Sequence, residues 1–174
     1  MATGHLMAGL AQLAQLPDTP QRARQELALQ RLLGQASFAT KGYASPEASH
    51  AFSRARELCA AIGDDDSIGP ILIGVWLFEM SGGYHANSLM TANELLERAG
   101  RTDNTAALVA GNVAVGLSEL HLGTLAPARP HFDKAVEYYR SFTDAQATRV
   151  TNEYGVDLGA ASYAYGAWCW WLLG

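Results

Sequence analysis

Residues 112–140 read NVAVGLSELHLGTLAPARPHFDKAVEYYR, and this stretch decides the fold. Val115 and Gly116 fall on a first helix, Gly123 breaks it, and Ala128, Phe132 and Ala135 step by four and three along a second. Such steps keep side chains on one helical face. Gly116 and Ala128 are small where two antiparallel helices must cross closely. Phe132 is sized to fill the space between them, and Ala135 leaves room for a following helix. These five residues, Gly116, Gly123, Ala128, Phe132 and Ala135, are the expected packing set of a helix-turn-helix unit.

The spacing resembles the tetratricopeptide repeat: Leu-Gly or its equivalent, a turn glycine, then Ala, an aromatic and Ala. Asn112 stands in place of the large aromatic of that pattern, Glu119 in place of its tyrosine, and Arg140 in place of its closing proline. A weaker second unit is expected from Trp76, Phe78, Gly82 and the helix Tyr84–Ala99, with Asn87 where a small Ala belongs. Trp171-Leu172-Leu173-Gly174 has the look of Leu120-His121-Leu122-Gly123, so residues 157–174 read as a repeat lacking its second helix. The chain is therefore expected to be one helical-repeat domain, 1–174, cut from a longer multidomain protein.

Working outward, helical periodicity covers almost every segment and no convincing strand alternation occurs. Leu6, Leu10 and Leu13 define a first helix, broken by Pro17-Asp18-Thr19-Pro20, where Asp18 or Thr19 can cap and Pro20 suits the first position. A helix carrying Ala23, Leu27 and Leu33 fades near Thr40-Lys41-Gly42. Ser45-Pro46-Glu47 is a second start, with the acid favoured by the helix dipole. Phe52, Ala55, Leu58 and Cys59 face inward, and Gly63 stops the helix. After Asp64-Asp65-Asp66-Ser67, Pro70 opens the apolar run ILIGVWLFEM, which demands burial on most sides. Gly82-Gly83 turns the chain, and Gly100 is expected to end the helix that follows. Asp103 or Thr105 begins another, ending at Gly123, and Thr124 to about Phe142 makes the next. Residues 145–154 form a weak helix, and Asp157 caps a last one running to Leu173. The fold class is all-α: about nine helices in an antiparallel helix-turn-helix array, an α-solenoid with a right-handed tendency.

Composition narrows the function. The chain has 174 residues, 49% hydrophobic and 17% charged, with a net charge of −5. Its only lysines are Lys41 and Lys134. That shortage argues against nucleic-acid and anionic-membrane partners, which demand a basic surface. Cys59 and Cys169 carry no metal-ligand spacing and read as reduced, buried thiols, so a cytoplasmic location is expected. The N-terminus MATGHLMAGLAQLAQL lacks the basic region and unbroken apolar stretch of a signal peptide. The apolar end AASYAYGAWCWWLLG is too short to span a bilayer.

The stretch LPDTPQRARQELALQRLLGQASFATKGYASPEASHAFSRARELCAAIGDDD, from Leu16 to Asp66, resembles a block in large bacterial signalling proteins. Those proteins join a class III adenylate/guanylate cyclase domain and a P-loop ATPase domain to a C-terminal array of tetratricopeptide-like repeats. Leu16-Pro17-Asp18-Thr19-Pro20, Glu26–Gln30, Ala39–Tyr43, Pro46-Glu47 and Arg56–Cys59 carry the resemblance. It extends in order through the Trp76 helix, the Gly123–Ala135 segment and the closing Trp-Leu-Leu-Gly. It implies the helical array alone, because this chain holds no cyclase or ATPase motif.

Other chemistry is sparse. No phosphate loop GxxxxGK[ST] occurs. A calcium loop starting at Asp64 finds its glycine at Gly69, yet Ile68 and Val75 cannot donate side-chain oxygens, so a solvated connector is the better reading. His5, His50, His85, His121 and His131 form no HExxH pattern. His121 and His131 face each other only if the Gly123 turn brings them together, and two histidines alone make a poor metal site. No nucleophile elbow GxSxG appears. Glu94/Glu97 and Asp133/Glu137 read as solvated faces. No catalytic, cofactor or metal site is expected, and the chain is not expected to be an enzyme.

Two surfaces remain as interaction candidates. Residues 1–60 hold six basic and four acidic groups, and residues 61–174 hold six and thirteen. Arg22, Arg24, Arg31, Arg54 and Arg56 pair locally with Glu26, Glu47 and Glu57 on the simpler view. On the sharper view Arg22, Arg24, Arg54 and Arg56 recognise an acidic partner or another copy. Tyr165, Trp168 and Trp171 step by three and are expected to share one stripe, of the residue types that dominate interfaces. The expected function is a non-catalytic interaction or regulatory module that binds a peptide, a partner protein or a sister domain, with a homodimer through exposed repeat ends as a further option. The alternative is a small-molecule sensor with an apolar pocket around Trp76, Phe78 and Tyr84.

Overall fold

A computed structural model describes residues 2–102 and 104–174, the side chain of Ala2 excepted. Asp103, one of two expected starts for the sixth helix, lies outside the described residues. Nine α-helices and no strand occur among the described residues. They are α1 (Ala2–Leu13), α2 (Pro20–Lys41), α3 (Pro46–Ile62), α4 (Ile68–Ser81), α5 (His85–Thr102), α6 (Thr105–His121), α7 (Leu125–Tyr139), α8 (Asp144–Tyr154) and α9 (Leu158–Leu173). Most helices pack on a chain neighbour, α2 on α3 and α6 on α7 among them, which makes the fold an all-α helical array.

The caps follow from the residues that supply them. Thr19 accepts from the Arg22 amide at 3.2 Å, while Asp18 pairs with the Arg22 side chain instead. Ser45 accepts from the Ala48 amide, and Asp157 from that of Ala160 at 2.9 Å. Asn104 caps α6 through the Ala107 amide. Several boundaries differ from expectation: α4 begins at Ile68, two residues before Pro70, and α7 ends at Tyr139, short of Phe142. Gly100 does not end α5, which runs on to Thr102 because Arg101 reaches back to Glu97 and Thr102 to the Arg98 carbonyl. The segment 145–154 is a full helix despite Val150 and Thr151. Thr143 and Gln146 cap it reciprocally, and Gly155 closes it in the left-handed region.

Two compact units divide the chain between Gly82 and Gly83. The first holds α1–α4 and the second α5–α9. The expected weaker repeat draws on both, since α4 belongs to the first unit and α5 to the second. In the first unit, α2 and α3 lie antiparallel, with Lys41 beside Glu47 near the turn and Glu26 beside Arg54 at the far end. Phe52 of α3 sits between two glycines. A Cβ on Gly34 of α2 would lie 2.5 Å from its ring, and one on Gly74 of α4 would lie 2.4 Å away. Phe52 is 2% exposed, and Ala48 and Ala55, one turn to either side, are fully covered. Only glycine lets two backbones come this near one buried ring.

The second unit repeats the device. Phe132 of α7 is fully buried between Gly116 of α6 and Gly166 of α9, where an added Cβ would stand 3.0 and 3.3 Å from it. Ala128 and Ala135 are fully buried on the same face. Gly123, with φ of +81°, makes the turn between α6 and α7. Helices α5 and α6 are antiparallel too: His85 stacks on His121, Ser88 bonds Ser118 at 3.1 Å, and Gly111 passes the Leu96 backbone. Ser88 is buried on α5 facing α6, while Asn87, where a small residue was expected, is exposed.

Asn112, the odd residue of the best repeat, is explained by its bonds. It is 2% exposed, donates to the Leu108 carbonyl at 2.8 Å, and accepts from His131 Nδ1 of α7 at 3.0 Å. A large aromatic would pack this site; here a satisfied polar link ties α6 to α7. Burial lowers the His131 pKa, with Lys134 adding to the effect.

Candidate interaction surfaces

The arginines do not form one patch. Positions 22 and 24, like 54 and 56, are two apart and point to opposite sides of their helices. Arg22 is partly buried and paired with Asp18, while Arg24 is exposed. Arg54 bridges Glu26 at 2.7 Å and Glu57 at 3.1 Å, and these bonds raise its pKa. Arg56 is exposed on the other side of α3. Pairing with Glu26 and Glu57 thus follows the simpler view for Arg54. Glu47 is held by Lys41 instead of an arginine, and that hydrogen bond draws its carboxyl pKa down to about 2.

Beside these pairs the first unit has an open groove of about 370 Å³. Met7 of α1, Leu33 of α2 and Ala51 of α3 give it an apolar floor, and Lys41, Glu47 and His50 stand at its edge. The sequence carries a signal for this region. Leu33-Gly34 followed by Ala48, Phe52 and Ala55 repeats the 115–135 pattern, with a step of fourteen from glycine to alanine where the second unit has a step of twelve.

On α9 the expected stripe Tyr165, Trp168, Trp171 does not hold together. Steps of three on a helix of 3.6 residues per turn drift by about 60° each. Tyr165 is therefore turned half inward, Trp168 is 45% exposed, and Trp171 is 76% exposed. The exposed stripe runs instead through Ala160, Tyr163, Ala164, Ala167, Trp168 and Trp171. The inner side of the helix is fixed by Gly159, laid against the Tyr139 ring, and by Cys169, whose thiol lies 3.7 Å from the Leu125 carbonyl. Burial pushes that thiol's pKa up, and Cys59 is buried like Cys169.

His121 and His131 are not brought together. His131 bonds Asn112, nine residues back along α6, more than two turns from His121. His121 lies against His85, ring centroids 5.2 Å apart, and against the edge of Trp168 at 6.5 Å. Its Nδ1 donates to the Leu117 carbonyl at 2.9 Å. No group of three His, Cys, Asp or Glu that could hold a metal ion occurs among the described residues. Trp76 is buried in the first unit, whereas Tyr84 of the second is 56% exposed. Among the described residues no helix is long and apolar enough to cross a membrane. Comparison with protein-family models, curated proteins and solved structures finds no match to the chain.

Proposed function

We propose that the chain is a non-catalytic interaction module that binds a peptide segment of a partner or sister domain. The observation carrying this reading is the groove of the first unit, open to solvent and bounded by three helices. An apolar floor with a rim of both signs suits a short peptide bearing an apolar anchor. A small-molecule sensor calls for a cavity that encloses most of its ligand, and an open groove gives that alternative little support.

A display library of random peptides, selected on the purified chain and counter-selected on Met7→Glu and Leu33→Glu, tests the reading. Selected peptides are expected to share an apolar anchor and to lose at least tenfold in affinity to either variant. A library yielding nothing that separates wild type from the variants ends it. The resemblance of residues 16–66 to the array of cyclase–ATPase signalling proteins adds a regulatory role: peptide binding here would bias a linked nucleotide-hydrolysing or cyclising domain. Sequencing upstream of Met1 checks that part, and a reading frame without either motif removes it.

A further inference from the structure

The exposed side of α9 is unlike that of the other helices with broad exposed faces. Helices α2, α3, α5 and α7 turn charged side chains to water. Helix α9 has no Asp, Glu, Lys or Arg anywhere, and its exposed positions are all alanine, leucine or aromatic. Tyr163, Trp168 and Trp171 are 43%, 45% and 76% exposed. At about 150–250 Å² per ring, they leave roughly 400 Å² of aromatic surface in water. With the alanines and Leu172 the face reaches roughly 600 Å², the per-copy area at which stable dimers begin. Monomeric proteins seldom leave a patch of that size bare.

The order of side chains along this face says what covers it. Ala160, Ala164, Ala167 and Trp171 lie within about 60° of one another around the helix, so they form its crest. Small residues occupy the first three places and the largest side chain the fourth. A helix with that sequence is complementary to itself when reversed. Laid antiparallel about a two-fold axis between positions 165 and 166, Ala164 meets the partner's Ala167, and the backbones can come close. Trp171 then covers the partner's Ala160. Trp168 and the partner's Trp168 fall on one flank of the seam, and the two Tyr163 side chains on the other. No like charges meet, and the helix dipoles oppose each other favourably. We infer that α9 is an isologous dimerisation helix whose partner is the α9 of a second copy of this chain. The inference goes beyond the peptide-binding reading and uses none of its residues.

Sedimentation velocity on the full chain tests it. The expected mass is twice 18.6 kDa, falling to the monomer value in Ala164→Glu, which sets two carboxylates in the closest part of the seam. Position 164 is exposed, so circular dichroism of the variant should match wild type. Register is tested by disulfide formation. Ala164→Cys and Ala167→Cys chains are expected to cross-link when mixed. Ala160→Cys chains should not cross-link among themselves, since those positions lie about 16 Å apart along the seam. A wild-type chain that stays monomeric at millimolar concentration overturns the inference, as does a dimer indifferent to Ala164→Glu. So does a longer chain from the same reading frame that is monomeric while Trp171 becomes quenched and buried, since that assigns the face to a helix in cis.

Discussion

The two units solve one packing problem with different tolerances. Each clamps a phenylalanine of its middle helix between glycines of the helices on either side. Around Phe52 both glycines stand where an added methyl would overlap the ring, at 2.5 and 2.4 Å. Around Phe132 a methyl on Gly116 would stand 3.0 Å from the ring, and one on Gly166 would stand 3.3 Å from the Phe132 Cβ. The first clamp fits only glycine, whereas the second is tight but would admit a methyl if Phe132 gave way by a few tenths of an ångström. A shared sequence pattern can therefore hide unequal dependence on its glycines.

Removing the ring should hurt most, and in both units. Phe52→Ala and Phe132→Ala are each expected to cost about 3–5 kcal/mol, read as lowered urea midpoints. The glycine variants then separate the units. Gly34→Ala and Gly74→Ala should cost about 1–3 kcal/mol through overpacking, more than the ~1 kcal/mol that alanine returns to a helix. Gly116→Ala should stay within about 1 kcal/mol of wild type, because its milder contact and its helical gain offset each other. Equal losses at Gly34 and Gly116 would erase the contrast.

A double-mutant cycle sharpens it further. Adding Gly34→Ala to Phe52→Ala fills vacated space, so the pair should be less damaging than the sum of its parts, by on the order of 1 kcal/mol. The same cycle at Gly116 and Phe132 should show weaker coupling.

The smallest expected effects concern pH, and both are losses on acidification that set in over different ranges. His131 is held neutral by burial, so its pKa in the folded chain lies below the usual 6.5. The second unit should therefore keep its full stability above that value and lose some as the pH drops below it. Thermal melts of His131→Gln should lose this slope between pH 7 and 5. Glu47 works in a lower range. Its carboxyl is depressed from 4.5 to about 2, so the support it gives the α2–α3 turn is present above 4.5 and fades as the pH falls toward 2. Because the pair is exposed, the Glu47→Gln difference should be small and vanish in high salt.

Much of the architecture was legible because caps and periodicity are local. Thr19, Ser45, Gly63 and Asp157 mark helix ends by chemistry that acts within a few residues. The Asn112 site was visible only as a departure from pattern, because its partner His131 lies across a turn. The first clamp was missed for a related reason: two extra residues between Gly34 and Ala48 shift the pattern without altering its geometry. The α9 surface was half read. Its tryptophans announced themselves by type, while the alanines between them gave no compositional signal. Their meaning depends on which side of the helix Phe132 and Tyr139 occupy.

Helix α8 lengthens the interval between clamp glycines from the forty residues of Gly34–Gly74 to the fifty of Gly116–Gly166. It owes its helicity to its own ends, through the Thr143–Gln146 box and Gly155. A segment that supplies its own stops, and lies outside the phenylalanine clamp, is a natural place for length variation. Its exposed first turn is accordingly where a fluorophore or epitope could be spliced in with the least disturbance to the core.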